Sequence, residues 1–319
     1  MSQYILRRCL LAIPTLILIS FVLFAILALA PGDPMSQFAT NPSVTAEVRE
    51  NMKRALGLDQ PWPVRYVKWI TAAAQGNLGY SFAAKIPVTT LITQRLPQTL
   101  SVVGSAFLLA VLLAIPIGVI SAVRQYSIFD QVGTFFSFIG FSVPSFFTGL
   151  LLMLIFAVRL GWFPIVYSST LKVDGWHSFG QQVRQMVLPV TVLLVQQTAA
   201  LTRFTRSAML DNLPQDYVRT ARSKGLADRT VVVRHVLSNS LIPVVTLIAL
   251  GIPAIFGGAI VTENLFRVNG IGSLLITSIN NSDTPVVMAI TFLFAILTVV
   301  FNLVADIFYG VLDPRVRYS

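Results

Sequence analysis

Chemistry requires nucleophiles, bases or metal ligands within reach of one another, and this sequence spreads such residues thinly. Its 319 residues include one cysteine, Cys9, and two histidines, His177 and His235, in different polar segments. A single cysteine rules out an intrachain disulfide and leaves no thiolate cluster for a metal. No His-Glu-x-x-His pair is present to hold zinc on a helix, so no metal site is expected. Nor is there a Gly-x-x-x-x-Gly-Lys-Ser/Thr loop to cradle phosphates, so the chain cannot hydrolyse ATP by that route. The sequence becomes specific in the polar segment 203–235, whose core reads Asn212-Leu-Pro-Gln-Asp-Tyr-Val-Arg-Thr-Ala-Arg-Ser-Lys-Gly225-Leu226.

That segment reads as a docking element. Asn212 or Asp211 can serve as N-cap, Pro214 falls in the first turn, and Gly225 can take the left-handed position past the end. The expectation is a helix of about three turns. Tyr217, Val218 and Ala221 share one side as an exposed aromatic-aliphatic knob, and Arg219, Arg222 and Lys224 lie largely around the others. Arg222 and Lys224 also complement the helix dipole. Asp228 is expected to cap a second helix carrying Arg229, Arg234 and His235 toward Pro243. A basic helix of this kind could lie on anionic headgroups, but a knob amid bases is better suited to a groove on a partner.

The elements that position this segment follow from composition. Apolar residues make up 55% of the chain and charged residues 11%, against roughly 25% charged in average soluble proteins; mean hydropathy is +0.75. Lipid is the expected solvent. The net charge of +10 comes mostly from bases in short segments flanking apolar runs, where they set membrane orientation. They form no basic-aromatic cluster of the kind that binds nucleic acid.

A helix needs about 20 apolar residues to cross the hydrocarbon core. Six segments qualify: 9–30, 98–123, 132–157, 186–202, 236–262 and 284–310. The first could be mistaken for a signal peptide, but its run is longer than the roughly 7–15 residues of a signal core, and Pro31 would follow the cut after Ala28-Leu-Ala30. It is read as a retained span. With the N-terminus cytoplasmic, the inside segments 1–8, 124–131, 203–235 and 311–319 hold twelve Lys and Arg. The outside segments 158–185 and 263–283 hold only Arg159, Lys172, Arg184 and Arg267. Both termini are therefore expected in the cytoplasm. Segment 31–97 becomes an extracytoplasmic insertion with two short helices. One runs from a Ser43 cap through Lys53 and Leu56 to Gly57; the other, opened by Pro61-Trp-Pro63, runs from Val64 to Ala74 and closes at Gly76. It could cap the bundle, dock a soluble delivery protein, or do both.

The apolar runs carry no Asp, Glu, Lys, Arg or His until Asp306. Proton-driven carriers keep such residues in the membrane as relays, so that class is disfavoured; an enzyme lacks its base; and a passive channel leaves the elaborate 203–235 loop unexplained. Active transport would need energy from a partner. The runs are also punctuated by Pro116, Pro144, Pro189, Pro243 and Pro253, candidate hinges for a bundle that rocks between two shapes. Gln196, Gln197, Thr198 and Asn302 are candidate path-lining residues that the sequence does not rank.

Asp216-Tyr-Val-Arg-Thr-Ala-Arg-Ser-Lys-Gly-Leu226, with Arg234-His235, Asn239 and Leu241-Ile-Pro243 following, resembles the EAA loop of ABC-importer permeases, in particular the dipeptide/oligopeptide/nickel branch. The resemblance runs nearly the whole chain: Pro31-Gly-Asp-Pro34, Gly57-Leu-Asp-Gln-Pro61, Ser142-Val-Pro-Ser-Phe146, Glu263-Asn-Leu-Phe, Gly270-Ile-Gly272, Asp283-Thr-Pro285 and Asp313-Pro-Arg-Val-Arg317. One departure is that Arg219-Thr220-Ala221 stands where the general triplet begins with an acid. The resemblance implies an all-α membrane protein with six transmembrane helices and the type I ABC importer permease fold. The transmembrane core would span 98–310 and end in a cytoplasmic tail, 311–319. It implies a bacterial inner-membrane permease that is not itself an enzyme and binds no cofactor, ATP and magnesium being held by two cytoplasmic ATPase subunits. A second homologous permease, an extracytoplasmic solute-binding protein and the lipid bilayer complete the implied partners. The coupling helix would use Asp216, Tyr217, Val218, Arg219, Thr220, Ala221, Arg222, Lys224 and Gly225. Peptides are the first substrate expectation; nickel chelates, oligosaccharides and opines stay open.

Overall fold

The computed structural model describes residues 2–29, 50 and 59–312. The expected Ser43–Leu56 helix, the Pro31–Pro34 and Gly57-Leu58 motif residues and the 313–319 end of the tail lie outside the described residues. The order is α1 (Ser2–Leu29), α2 (Trp62–Ala74), α3 (Val88–Val123), α4 (Ile128–Ser142), α5 (Ser145–Arg159), α6 (Trp176–Asn212), α7 (Asp216–Ser223), α8 (Asp228–Phe266), α9 (Ile271–Asn280) and α10 (Thr284–Leu312). Among the described residues there is no strand, only an isolated bridge between Tyr80 and Pro87. Helices are what hydrocarbon permits, since only they pair every backbone group within one segment.

Five helices, α1, α3, α6, α8 and α10, are long and apolar enough to cross a membrane. The sixth apolar segment, 132–157, divides into α4 and α5, which meet at 107°. Val143 precedes Pro144 and sits in the extended region, φ −85° and ψ 126°, because the proline ring disfavours helical backbone in the residue before it. Pro144 is thus a visible break, whereas Pro116, Pro189, Pro243 and Pro253 lie inside continuous helices. Val231–Leu237 in α8 and Met153–Arg159 in α5 are π-helical.

The helices extend well beyond the apolar runs: α3 has 36 residues and α6 has 37. α3 and α6 pack along their lengths. A Cβ on Gly118 would fall 2.7 Å from Thr205 Cβ and 2.9 Å from the Thr202 carbonyl, so only hydrogen fits there. Three buried clusters hold the bundle. Val102, Leu188, Val192, Ile255 and Phe256 form the middle one. Val88, Ile92, Ile271, Val286 and Ile290 gather the start of α3, α9 and the start of α10 at one end. Ala122, Met209, Val218, Ala221, Val231 and Val236 gather the end of α3, the end of α6, α7 and the start of α8 at the other. The last residues of α10 share this second end, where Asp306 pairs with Arg8 of α1 at 3.0 Å.

Candidate functional site

The expected docking helix exists, but shorter and differently seated. α6 continues to Asn212 and the chain leaves it at Leu213, because Pro214 has no N–H to continue the ladder. Pro214 therefore ends α6 instead of opening α7, and Asn212 is the last residue of α6 instead of a cap. α7 starts at Asp216 after Gln215 in extended conformation and spans eight residues, two turns and not three. The Asn212 side chain still serves the junction: the Tyr217 hydroxyl donates to its Oδ1 at 2.9 Å, and its own amide donates to the Ala208 carbonyl at 2.9 Å. Asp228 caps nothing; Ala227 holds the N-cap position. Asp228 instead accepts from Arg222 Nε at 3.1 Å, joining α7 to the start of α8.

The knob is corrected too. Val218 is fully buried and Ala221 nearly so, packed in the cluster with Met209, Val231 and Val236. Burying Val218 contributes roughly 2 kcal/mol. Tyr217 is partly exposed, and Asp216, Arg219, Thr220, Arg222 and Lys224 form the free surface. Arg219 lies 3.7 Å from Asp216, both largely in solvent, a pairing that contributes little. Gly225 takes φ +77°, and its N–H donates to the Arg222 carbonyl at 2.9 Å, closing the helix as its spacing predicts. α7 is therefore a small plug: one face fixed to three transmembrane helix ends, the other presenting cations and a phenol.

Three buried carboxylates hold the frame, Asp130 at the α7 end of the bundle and Glu263 and Asp283 at the opposite end, and their roles are not legible from local sequence. Asp130, in the first turn of α4, accepts from Arg206 Nε at 2.6 Å and Nη2 at 2.8 Å, from the Tyr126 N–H at 3.0 Å and from Thr134 Oγ1 at 3.4 Å. Glu263, fully buried near the end of α8, accepts from Thr99 Oγ1 at 2.6 Å and the Ser273 N–H at 3.0 Å. Thr99 Oγ1 in turn accepts from the Ile271 N–H at 2.8 Å. The Glu263 carboxylate thus sits on the N-terminus of α9, where backbone donors and the helix dipole favour an anion. Gly270 and Gly272 leave it room: a Cβ on Gly270 would collide with the carboxylate. Asp283 accepts from Ser81 Oγ, the Phe82 N–H at 3.0 Å and the Ala83 N–H at 3.2 Å, tying the Tyr80–Pro87 turn to α10. The Glu263-Asn-Leu-Phe, Gly270-Ile-Gly272 and Asp283-Thr-Pro285 signatures are accordingly latches. The available signal was an acid at the edge of an apolar run, with Gly270 and Gly272 following Glu263 and Thr284-Pro285 following Asp283.

Of the path candidates, Gln196, Gln197 and Thr198 are consecutive residues of α6, and Asn302 lies on α10. Gln196 donates weakly, at 3.4 Å, to the Val143 carbonyl at the Pro144 break. The Thr198 hydroxyl is buried with no partner, and Asn302 is exposed. Among the described residues no His, Cys, Asp and Glu group could hold a metal ion.

Residues 114–318 match the family described as binding-protein-dependent transport system inner membrane component, and residues 1–103 match the N-terminal region of the same membrane components. The oligopeptide transport system permease protein AppB of Bacillus subtilis is 43% identical over 319 residues, covering all of both chains. The glutathione transport system permease protein GsiC of Salmonella typhimurium is 37% identical over 319 residues, again covering all of both. With its helical architecture and its apolar spans, the chain belongs to the binding-protein-dependent transport system inner membrane components: it is a multi-pass permease subunit of an ABC importer, not an enzyme.

Proposed function

We propose that this permease forms half of a peptide path and that α7 is its coupling helix, gripped from the cytoplasm by one of two ATPase subunits. In this reading a second, related permease completes a heterodimeric core of residues 98–310, both termini are cytoplasmic, and a solute-binding protein delivers cargo on the far side to the insertion 31–97 and its neighbouring loops. The peptide assignment draws on the cargo in the relatives' names, oligopeptide for one and glutathione, itself a short peptide, for the other. A path without fixed charge also suits cargo whose backbone is common but whose side chains vary, with selection left to the binding protein.

The observation that carries the coupling role is the two-faced seating of α7. Val218 and Ala221 are locked against Met209 of α6 and Val231 of α8, so a push on Arg219 or Thr220 is delivered to both spans and not absorbed by a loose loop. Approach of the ATPases on binding ATP moves the α7 plug. α6 and α8 follow, the π-helical Val231–Leu237 turn and the proline positions take up the bend, and access switches from one side to the other. ATP hydrolysis resets the pair.

The test is Arg219→Glu combined with Lys224→Glu, both on the free face. The ATPases are expected to fall away from the affinity-purified permease and peptide uptake to stop, with insertion unchanged. Retained ATPases and normal uptake would refute the coupling role. Stimulation of ATP hydrolysis by nickel chelates but not by short peptides, in the presence of the binding protein, would refute the cargo.

A further inference from the structure

Helix α2 lies at the wrong depth for a soluble insertion. Its Tyr66 hydroxyl is 2.9 Å from Ser20 Oγ and donates to the Ile17 carbonyl at 3.1 Å, both well inside α1. Phe21 packs on Trp62 and Tyr66, Phe24 on Tyr66 and Trp69, and Trp69 reaches Phe292 of α10 with centroids 5.2 Å apart.

The Arg8–Asp306 ion pair supplies a common zero for both spans, because charges of this kind sit at the hydrocarbon boundary. At 1.5 Å per residue, Ser20 is about 18 Å and Phe24 about 24 Å from Arg8, and Phe292 about 21 Å from Asp306. The hydrocarbon core is about 30 Å thick, which leaves the Tyr66 hydroxyl about 12 Å and the Trp69 ring about 6–9 Å beneath the opposite boundary. Tilt of the spans would only deepen these values.

The rest of α2 fits that depth. Its outward face presents Val64 and Val67, 45% and 57% exposed. Thr71 satisfies its hydroxyl within the helix, on the Val67 and Lys68 carbonyls at 2.8 and 2.9 Å. Trp69 Nε1 is buried without a partner. The helix carries two cations, Arg65 and Lys68, and no acid; Arg65 lies over the Phe24 ring at 5.9 Å. Long basic side chains of this kind reach back to the interface while their stems stay in apolar surroundings.

We infer that α2 is embedded in the leaflet opposite the Arg8–Asp306 pair, with Val64 and Val67 against acyl chains and Arg65 and Lys68 reaching up toward the headgroups. Its surface belongs to the bilayer, so docking of a solute-binding protein falls to the rest of the 31–97 insertion and the neighbouring loops. This holds whichever way the chain is oriented and whatever it carries.

The test uses the assembled transporter in vesicles of phosphatidylethanolamine and phosphatidylglycerol, in a Cys9→Ser background. A membrane-impermeant maleimide present on both faces is expected to label a Thr170→Cys variant fully and to lose labelling at Val67→Cys. With bromine-bearing acyl chains, intrinsic tryptophan fluorescence is expected to be quenched, and the quenched fraction to fall in Trp62→Phe/Trp69→Phe. Val67→Cys reacting as fast as Thr170→Cys would overturn the inference. So would protection without quenching, which would mean that a protein covers α2.

Discussion

Gly225→Val isolates the backbone of the α7 turn from everything else. A Cβ at Gly225 meets nothing within 4 Å, so no steric clash is introduced, and the buried contacts of Val218 and Ala221 remain. The cost lies in φ +77°, a region that costs an L-residue about 1–2 kcal/mol. If the turn leaves that region, the Gly225 N–H loses the Arg222 carbonyl and the Arg222–Asp228 bridge opens, an exposed pair contributing about 0–1 kcal/mol. The spans therefore stay assembled while the free face of α7 is tilted. At 1.4 kcal/mol per decade, the population with the native turn falls roughly 5- to 30-fold. Reconstituted with its partners at matched complex levels, the variant is expected to keep hydrolysing ATP while peptide uptake per ATP falls. Asn, which tolerates the left-handed region, should be mildest, Ala intermediate and Val worst. Wild-type uptake by the Val variant, or equal loss across the series, would show that coupling does not depend on this turn.

Three further substitutions test the frame. Asp130→Ala strands the Arg206 guanidinium at the α4–α6 contact and should lower stability by about 3 kcal/mol, read as a fall in melting temperature in detergent; Asp130→Leu with Arg206→Met should recover most of it. Glu263→Ala removes the anion from the α9 N-terminus and should cost about 2–3 kcal/mol, with amide exchange rising in 271–280 before it rises elsewhere; uniform exchange would argue against a latch. Gly118→Ala should cost about 1–3 kcal/mol through overpacking against Thr202 and Thr205, whereas Gly251→Ala, with nothing within 4 Å of its Cβ, should be near neutral in the same thermal assay.

How much the sequence reveals depends on the range of the forces involved. Hydropathy is a local sum, and it located the five long apolar helices and the bent α4–α5 pair because hydrocarbon demands helix. The same sum hid the bend at Pro144, since Val143 and Phe146 are as apolar as an unbroken helix would be and the break is a backbone effect. Gly225 was legible because a left-handed turn has a one-residue signature. Which face of α7 turns inward was not, because Met209 and Val231 decide it from outside the helix. Nothing local marks Asp130 and Arg206 as partners; their pairing across 76 residues needs the topology first. Glu263 and Asp283 registered as family signatures, and only the fold shows which N–H groups they serve.

On the proposed coupling, the ATPases act on α7. A cysteine at Thr220, in a Cys9→Ser background, should form a cross-link to an ATPase subunit in the assembled transporter. The cross-link yield should change when ATP is added, and the cross-linked complex should no longer transport. A Thr220 cysteine that stays freely reactive to maleimide in the full complex, or that is labelled from outside intact cells, would contradict the account.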